Sequence, residues 1–183
     1  VMVDEVEDNQ EDQVEKLIKL AKNEKVSVGL HIYCKSNDFD IEIKRQFDRF
    51  VELFGFEPSH IDIHKKKHII KSYKIVQDFC KNKNIPCKNL SCLGDDIMTV
   101  EGVITTNESI FSGTEKDFSE IDNWLKSLGD DVYVINFHPG YYDPESSSTL
   151  NKEREVDAEN IRKVITKLDG YDIKLVNFYE LKK

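Results

Sequence analysis

The sequence contains little that would place it outside ordinary globular proteins. Its 183 residues include eight glycines, four prolines and one tryptophan, and no apolar run approaches the length that a bilayer requires. The first residues are acidic, whereas a secretory signal begins with basic and then apolar residues. We therefore expect a protein that has no membrane association and is cytoplasmic.

Cysteine is also scarce, and its spacing does not suit a structural metal site. No C-x-x-C pair occurs among Cys34, Cys80, Cys87 and Cys92, so we expect reduced thiols. A chain of this length buries a core without disulfides or a metal. Any bound metal would therefore serve chemistry more than folding.

Positive charge is the third shortage. The chain has 26 lysines and arginines against 35 acidic residues, and its formal net charge is −9. Such a surface repels phosphate backbones, which makes nucleic acid a poor partner. Neutral sugars and peptides remain compatible with the composition.

The five histidines, in contrast, are concentrated in three short segments. These are Gly29-Leu30-His31, the run from His60 to His68, and Phe137-His138-Pro139-Gly140. Neutral imidazoles bind divalent transition metals, and hydrolytic metal centres combine them with carboxylates and an open position. The distribution predicts a metal site.

Hydrophobic periodicity predicts helices that alternate with short strands. This alternation indicates a single α/β domain over 1–183 with a mostly parallel sheet, in which ligands bind at the carboxyl ends of strands. His31, His64 and His138 lie at or just after predicted strand ends. Helices are predicted at roughly 8–24 and about 69–83, and three more on the apolar faces within 47–54 (ending at Gly55), 118–128 and 156–168. Strands are predicted at 26–33, 60–64, 132–137 and 173–178, and loops with one or two short strands at 85–113.

The middle histidine segment has two structural interpretations. As a strand, it places His60, Asp62 and His64 on one face, with Ile61 and Ile63 in the core. As a helix, it stacks His60, His64 and His68 at intervals of four. The alternation and the preceding Pro58 favour the strand, and a third interpretation leaves one or two of these histidines solvated beside the lysine run.

Taken together, the three segments resemble the YdjC-like carbohydrate deacetylase family, which includes the diacetylchitooligosaccharide deacetylases. The family has a Gly-Leu-His strand end, matched at 29–31, and a His-x-Asp-x-His-x-x-x-His run, matched at 60–68. A His-Pro-Gly-Tyr-x-Asp segment follows at 138–143, and an Arg-Glu pair opens a helix at 154–155. The resemblance covers nearly the whole chain.

This resemblance implies a distorted β/α barrel of the polysaccharide-deacetylase (NodB-like) type and metal-dependent hydrolysis of N-acetyl groups on sugars. It implies one divalent ion, Mg²⁺ in the family and Zn²⁺ as the alternative, an acetylated carbohydrate substrate and a possible homo-oligomer. His31 and His64 would be the metal ligands and His138 the general acid or transition-state stabiliser. Residues that would support the ligands or contact substrate are His60, Asp62, His68, Tyr141 and Arg154.

The chain departs from the family pattern at two places. Lys66 stands where the family usually has another histidine, and an ammonium offers a metal no lone pair. No Asp-Asp-Phe-Gly strand, which supplies a ligand and a base in the family, is present. Val1-Met2-Val3 resembles the second family strand, so we expect that an N-terminal segment is missing from this sequence, and we interpret Gly94-Asp95-Asp96 as an ordinary turn.

The departures leave two alternatives to a deacetylase. One is a catalytically impaired sugar-binding or regulatory relative that lacks the first-strand carboxylates. The other is an unrelated metal-dependent hydrolase of amides or esters on the same architecture, because a fold does not determine a reaction.

Overall fold

A computed structural model describes residues 1–23, 25–34, 38–64, 66–88, 105–108, 117–146, 148 and 150–181, without the side chains of 66–71, 88 and 105–108. The chain separates into two compact units, Val1–Thr106 with Asn177–Lys183, and Asn107–Val176. The strands are β1 (Leu30–Ile32), β2 (Ile61–Ile63), β3 (Cys87–Lys88), β4 (Thr105–Glu108) and β5 (Tyr133–Val134). The helices are α1 (Glu11–Lys22), α2 (Phe39–Phe54), α3 (Lys66–Lys83), α4 (Phe118–Ser127) and α5 (Arg154–Lys167).

Parallel strands form the centre of the first unit. β1 pairs with β2, β2 with β3, and β3 with the beginning of β4, always in parallel. The free side of β1 is bonded to Val1, whose carbonyl accepts the His31 N–H at 2.9 Å. Val1 therefore has the strand-like pairing expected of Val1–Val3, although the chain turns into a 3₁₀ helix at Val3–Glu5.

Helix α2 illustrates how the sequence builds this unit. Asp38 caps its first turn by accepting the Ile41 N–H, and Gly55 ends it in the left-handed conformation, at φ 72°. The stop at Gly55 was predicted, and the predicted apolar face of 47–54 continues back to Phe39 and Ile43, which are also buried. The core around it consists of α1, α2 and α3 residues packed on strand residues such as Leu30, Ile32, Ile61 and Ile63.

The second unit is built around two helices and one strand pair. The end of β4 pairs in parallel with β5, as Asn107 opposite Tyr133 and Glu108 opposite Val134. Helices α4 and α5 contribute a small buried cluster, which consists of Ile121, Leu125, Val164 and Leu168.

Predicted strands are longer than the observed ones, and one is wrong. The 26–33 and 132–137 segments form ladders only at Leu30–Ile32 and Tyr133–Val134, and 173–178 forms none. There, the Ile173 N–H donates to the Leu168 carbonyl and the Phe178 N–H to Ser27 Oγ. Leu175 in this segment is 72% exposed. A strand forms only beside another strand, and the apolar pattern of 173–178 carries no information about such a partner.

Parallel strands linked by helices confirm the α/β class, and the NodB-like barrel and the single domain over 1–183 stay predictions. The loop prediction for 85–113 is met in part by β3 and β4; Gly94-Asp95-Asp96 and Cys92 lie outside the described residues. In the part of the chain that the structure describes, no helix combines the length and apolar character needed to cross a bilayer.

Candidate metal centre

His31 and His64 are placed by the register of two neighbouring parallel strands. In β1, Leu30 and Ile32 are buried and His31 between them is half-buried, and in β2, Ile61 and Ile63 flank Asp62 in the same way. His31 is directly opposite Asp62 in the ladder, and His64 follows immediately after β2. The strand interpretation of the middle segment is therefore confirmed, because the helix begins only at Lys66.

The two imidazoles face each other at close range. His31 Nε2 lies 3.0 Å from His64 Nδ1, and the rings meet edge to face with centroids 5.0 Å apart. The ring of Tyr33 packs edge to face on His64, also with centroids 5.0 Å apart. The Tyr33 ring therefore limits the freedom of the His64 ring.

Asp62 determines which nitrogen of His31 carries a proton. Its Oδ2 lies 3.2 Å from His31 Nδ1, and its Oδ1 accepts the N–H of Ile63 at 2.7 Å. An ionised carboxylate only accepts hydrogen bonds, so this contact favours the tautomer of His31 that carries the proton on Nδ1. In the neutral ring this leaves a lone pair on Nε2, the nitrogen that faces His64.

The donor set fits a divalent ion with two nitrogen ligands. The two facing nitrogens lie at hydrogen-bond distance, and the same 3.0 Å is about the separation of adjacent ligands about 2.1 Å from one octahedral ion. A carboxylate on the other nitrogen of a ligating histidine is the usual supporting partner, and Asp62 occupies that position. Within the described ranges no group of three or more His, Cys, Asp or Glu side chains is placed to hold a metal.

His60 shares the face of this site but has its own contacts. Its ring stacks on Phe178 with centroids 3.7 Å apart, and its Nδ1 lies 2.9 Å from Ser59 Oγ. A Cβ on Gly29 would lie 2.3 Å from the His60 ring, so the glycine of the Gly-Leu-His segment permits this close approach. Together with His31 and Asp62, His60 lines a cavity of about 300 Å³.

His138 belongs to the second unit, where a buried carboxylate holds it. Asp157 on α5 is 3% exposed, and its Oδ2 accepts the backbone N–H of His138 at 2.7 Å. The same oxygen lies 3.9 Å from His138 Nδ1, while the imidazole remains 42% exposed. Asp157 therefore anchors the backbone of His138, while the ring is open on its exposed side.

A known protein family matches most of this chain. The model of the family described as YdjC-like protein matches residues 4–167, which include every histidine segment. The chain belongs to the YdjC-like family.

Named relatives of this YdjC-like chain are bacterial proteins. A carbohydrate deacetylase of Clostridium beijerinckii is 31% identical over 153 residues, which are 79% of this chain and 61% of that protein. A chitooligosaccharide deacetylase of Proteus mirabilis is 31% identical over 114 residues, or 58% of this chain and 45% of that protein. The chain thus spans about three fifths, or less, of the length of these curated relatives.

The loop after His138 in the YdjC-like chain is fastened to the start of α5. Asn151 bonds both backbone groups of Asp143, accepting its N–H at 3.0 Å and donating to its carbonyl at 2.6 Å. The Arg154 carbonyl accepts the Gly140 N–H, and the Arg154 side chain would lie 3.2 Å from a Cβ on Gly140. Tyr141 is 89% exposed, which leaves its ring accessible.

Sequence reasoning missed Asp157 and Asn151, although Asp157 carried a detectable signal. It lies four residues before Ile161 and seven before Val164, on the apolar stripe of α5, where a buried carboxylate is expected only with a specific partner. Of the other predicted residues, the side chain of His68 lies outside the described part of the chain. The roles given to His31, His64, His138, His60, Asp62, His68, Tyr141 and Arg154 stay predictions.

Proposed function

We propose that this chain carries the metal-binding part of a hydrolase that removes N-acetyl groups from amino sugars or short chitooligosaccharides. The observation that carries the proposal is the 3.0 Å approach of His31 Nε2 and His64 Nδ1 at the carboxyl ends of adjacent parallel strands. Membership in a family with relatives named for carbohydrate deacetylation supports the reaction class. A homo-oligomeric state and a cytoplasmic location stay predictions.

The proposed ligands of a divalent ion are His31 and His64, with Mg²⁺ as the family expectation and Zn²⁺ as the alternative. When bound, such an ion supplies Lewis acidity toward an amide carbonyl and makes water a stronger acid. Asp62 keeps the proton of His31 on Nδ1, and the Tyr33 ring restrains His64. Both contacts prepare the facing nitrogens before any ligand arrives.

The proposed role of His138 is to give a proton to the departing amine. Asp157 Oδ2 lies 3.9 Å from His138 Nδ1 on one side of the ring, and the exposed side of the ring is available for the transfer. Amines are poor leaving groups without such a proton. Tyr141 and Arg154, in the loop and helix around His138, are proposed to contact the sugar.

A second function has its own supporting observation. Because the described residues contain no third donor grouped with the histidine pair, a relative that binds acetylated sugars without cleaving them is the competing proposal. It predicts sugar binding without acetate release. The hydrolase proposal predicts both.

The deciding experiment measures acetate release from N-acetylglucosamine oligosaccharides, together with calorimetric binding of Mg²⁺ and Zn²⁺. We expect His31→Ala and His64→Ala to lower ion affinity and activity by more than about 100-fold, beyond the effect of removing a supporting partner. Arg49→Ala, on the exposed side of α2, is the control. Ion binding that survives both histidine substitutions would contradict the proposal, and sugar binding without acetate release would favour the second function.

A further inference from the structure

The most unusual buried polar group near the histidine pair is the amide of Gln46. It lies on the apolar face of α2, three residues after Ile43 and four before Phe50, and is only 1% exposed. A buried amide is costly unless its donors and acceptor are satisfied. Its partners therefore show what the side chain does at that position.

Three hydrogen bonds hold the Gln46 amide. Oε1 accepts the backbone N–H of Tyr33 at 3.2 Å, and Nε2 donates to the Tyr33 carbonyl at 2.9 Å. The second hydrogen of Nε2 is directed to Glu42 Oε2 at 3.1 Å. A glutamine side chain can replace a neighbouring strand in this way, because its amide carries the same donor and acceptor as a peptide group.

At Tyr33 the chain has left the β1–β2 ladder, so its backbone groups need partners other than a neighbouring strand. The β1–β2 ladder ends at Ile32, whose carbonyl accepts the His64 N–H at 2.7 Å, and Tyr33 follows directly. Its ring packs on His64, and His31 lies two residues earlier on the same strand. The conformation of Tyr33 therefore affects both imidazoles.

Glu42 is itself anchored, so the support continues away from the site. Arg45 donates to Glu42 and to Asp4, and its hydrogen bond lowers the pKa of the Glu42 carboxyl. Glu42 therefore remains an ionised acceptor for Gln46 near neutral pH.

We propose that Gln46 is a positioning residue of the metal centre: its amide holds the backbone of Tyr33 and so sets the approach of His31 and His64. The inference rests on the proposed function only in treating the pair as ligands. In this role Gln46 acts through Tyr33.

The test compares Gln46→Met, which keeps the volume and removes the hydrogen bonds, with Gln46→Glu, which keeps the acceptor and loses the donors. Gln77→Met is the matched control, since Gln77 is a second fully buried glutamine on a different helix, α3. For each protein we would measure Zn²⁺ affinity, the thermal midpoint without metal, and the ring-proton NMR shifts of His31 and His64 without metal.

We expect both Gln46 variants to weaken Zn²⁺ binding on the order of tenfold, as removal of a ligand-orienting partner does, and to move the histidine shifts. Gln77→Met should leave the Zn²⁺ affinity and the histidine shifts unchanged. Unaltered histidine shifts in both Gln46 variants, or equal changes in Gln77→Met, would overturn the inference. If the wild-type chain binds no Zn²⁺, the proposed function fails, while the metal-free shifts still decide the role of Gln46.

Discussion

His31 and His138 reach their positions by different physical means. His31 lies on a strand whose neighbouring residues are fully buried, so the parallel register places it opposite Asp62. His138 lies in an irregular segment without strand pairing. A hydrogen bond from its backbone N–H to the carboxylate of Asp157 fixes its position instead. The comparison shows that a strand-end imidazole is located mainly by apolar packing, and a loop imidazole mainly by buried hydrogen bonds.

The buried apolar core is also larger in the first unit than in the second. The first unit packs strands and three helices in one extensive cluster, whereas α4 and α5 bury only Ile121, Leu125, Val164 and Leu168 together. In the second unit, Lys167 on α5 forms an ion pair with Asp122 on α4, and Asp122 also accepts hydrogen bonds from Lys126 on its own helix and from Tyr171. Matched substitutions in the two units can therefore test the difference.

The largest effect is expected from truncating a fully buried isoleucine in each unit. Ile61→Ala in β2 should lower the free energy of unfolding by about 4 kcal/mol and Ile121→Ala in α4 by about 2 kcal/mol, within the range for such truncations. The larger cluster around Ile61 has less freedom to collapse into the cavity. Urea denaturation measures both values, and equal losses would contradict the comparison.

The next largest effect distinguishes the role of the Asp62 carboxylate from that of the Asp157 carboxylate. Asp62→Asn should weaken Zn²⁺ binding by about 10–100-fold, because the carboxylate that orients His31 is lost. Asp157→Asn should leave Zn²⁺ affinity unchanged and lower the rate of acetate release, because the charge beside His138 is lost. Isothermal titration and an acetate assay distinguish these outcomes, and wild-type affinity in Asp62→Asn would remove Asp62 from the site.

A smaller effect is expected at the glycine beneath His60. Gly29→Ala should cost about 1–3 kcal/mol of folding free energy, because the new methyl group meets the His60 ring. The cost should shrink in a His60→Ala background, which a double-mutant cycle measures. Gly170→Ala in the second unit, where a Cβ meets nothing within 4 Å, is the control. An identical cost in both backgrounds would mean that His60 does not require the glycine.

The smallest effect concerns the ion pairs of the second unit and depends on pH. Hydrogen bonds from Lys126, Tyr171 and Lys167 hold the pKa of Asp122 below its ordinary value. Its stabilisation is therefore present above the unfolded pKa of about 3.9 and is lost as the pH falls toward the folded pKa. Asp122→Asn should lower the thermal midpoint at pH 7, and the difference should shrink below about pH 4. Glu120→Gln, an exposed change on α4, is the control; a gap that persists in acid would refute the mechanism.

Much of the fold was predictable because its signals are local. Apolar periodicity located helices α1 to α5 of the described ranges, and the alternation at Ile61-Asp62-Ile63 identified β2. Strand ends and the 173–178 segment were mispredicted because a ladder depends on a partner elsewhere in the chain. Gln46 and Asp157 were missed as site residues for a related reason: a polar residue on an apolar helix face gives no indication of its partner.

The sequence by itself determined the family, the alternation of helices and strands, and the three histidine segments that predict a metal centre. These follow from residue order and periodicity. Only the tertiary structure decided that His31 and His64 face each other at 3.0 Å, that Asp62 contacts His31, and that His60 stacks on Phe178. These contacts join residues from separate segments, and their distances arise from strand register and side-chain packing, which no local pattern specifies.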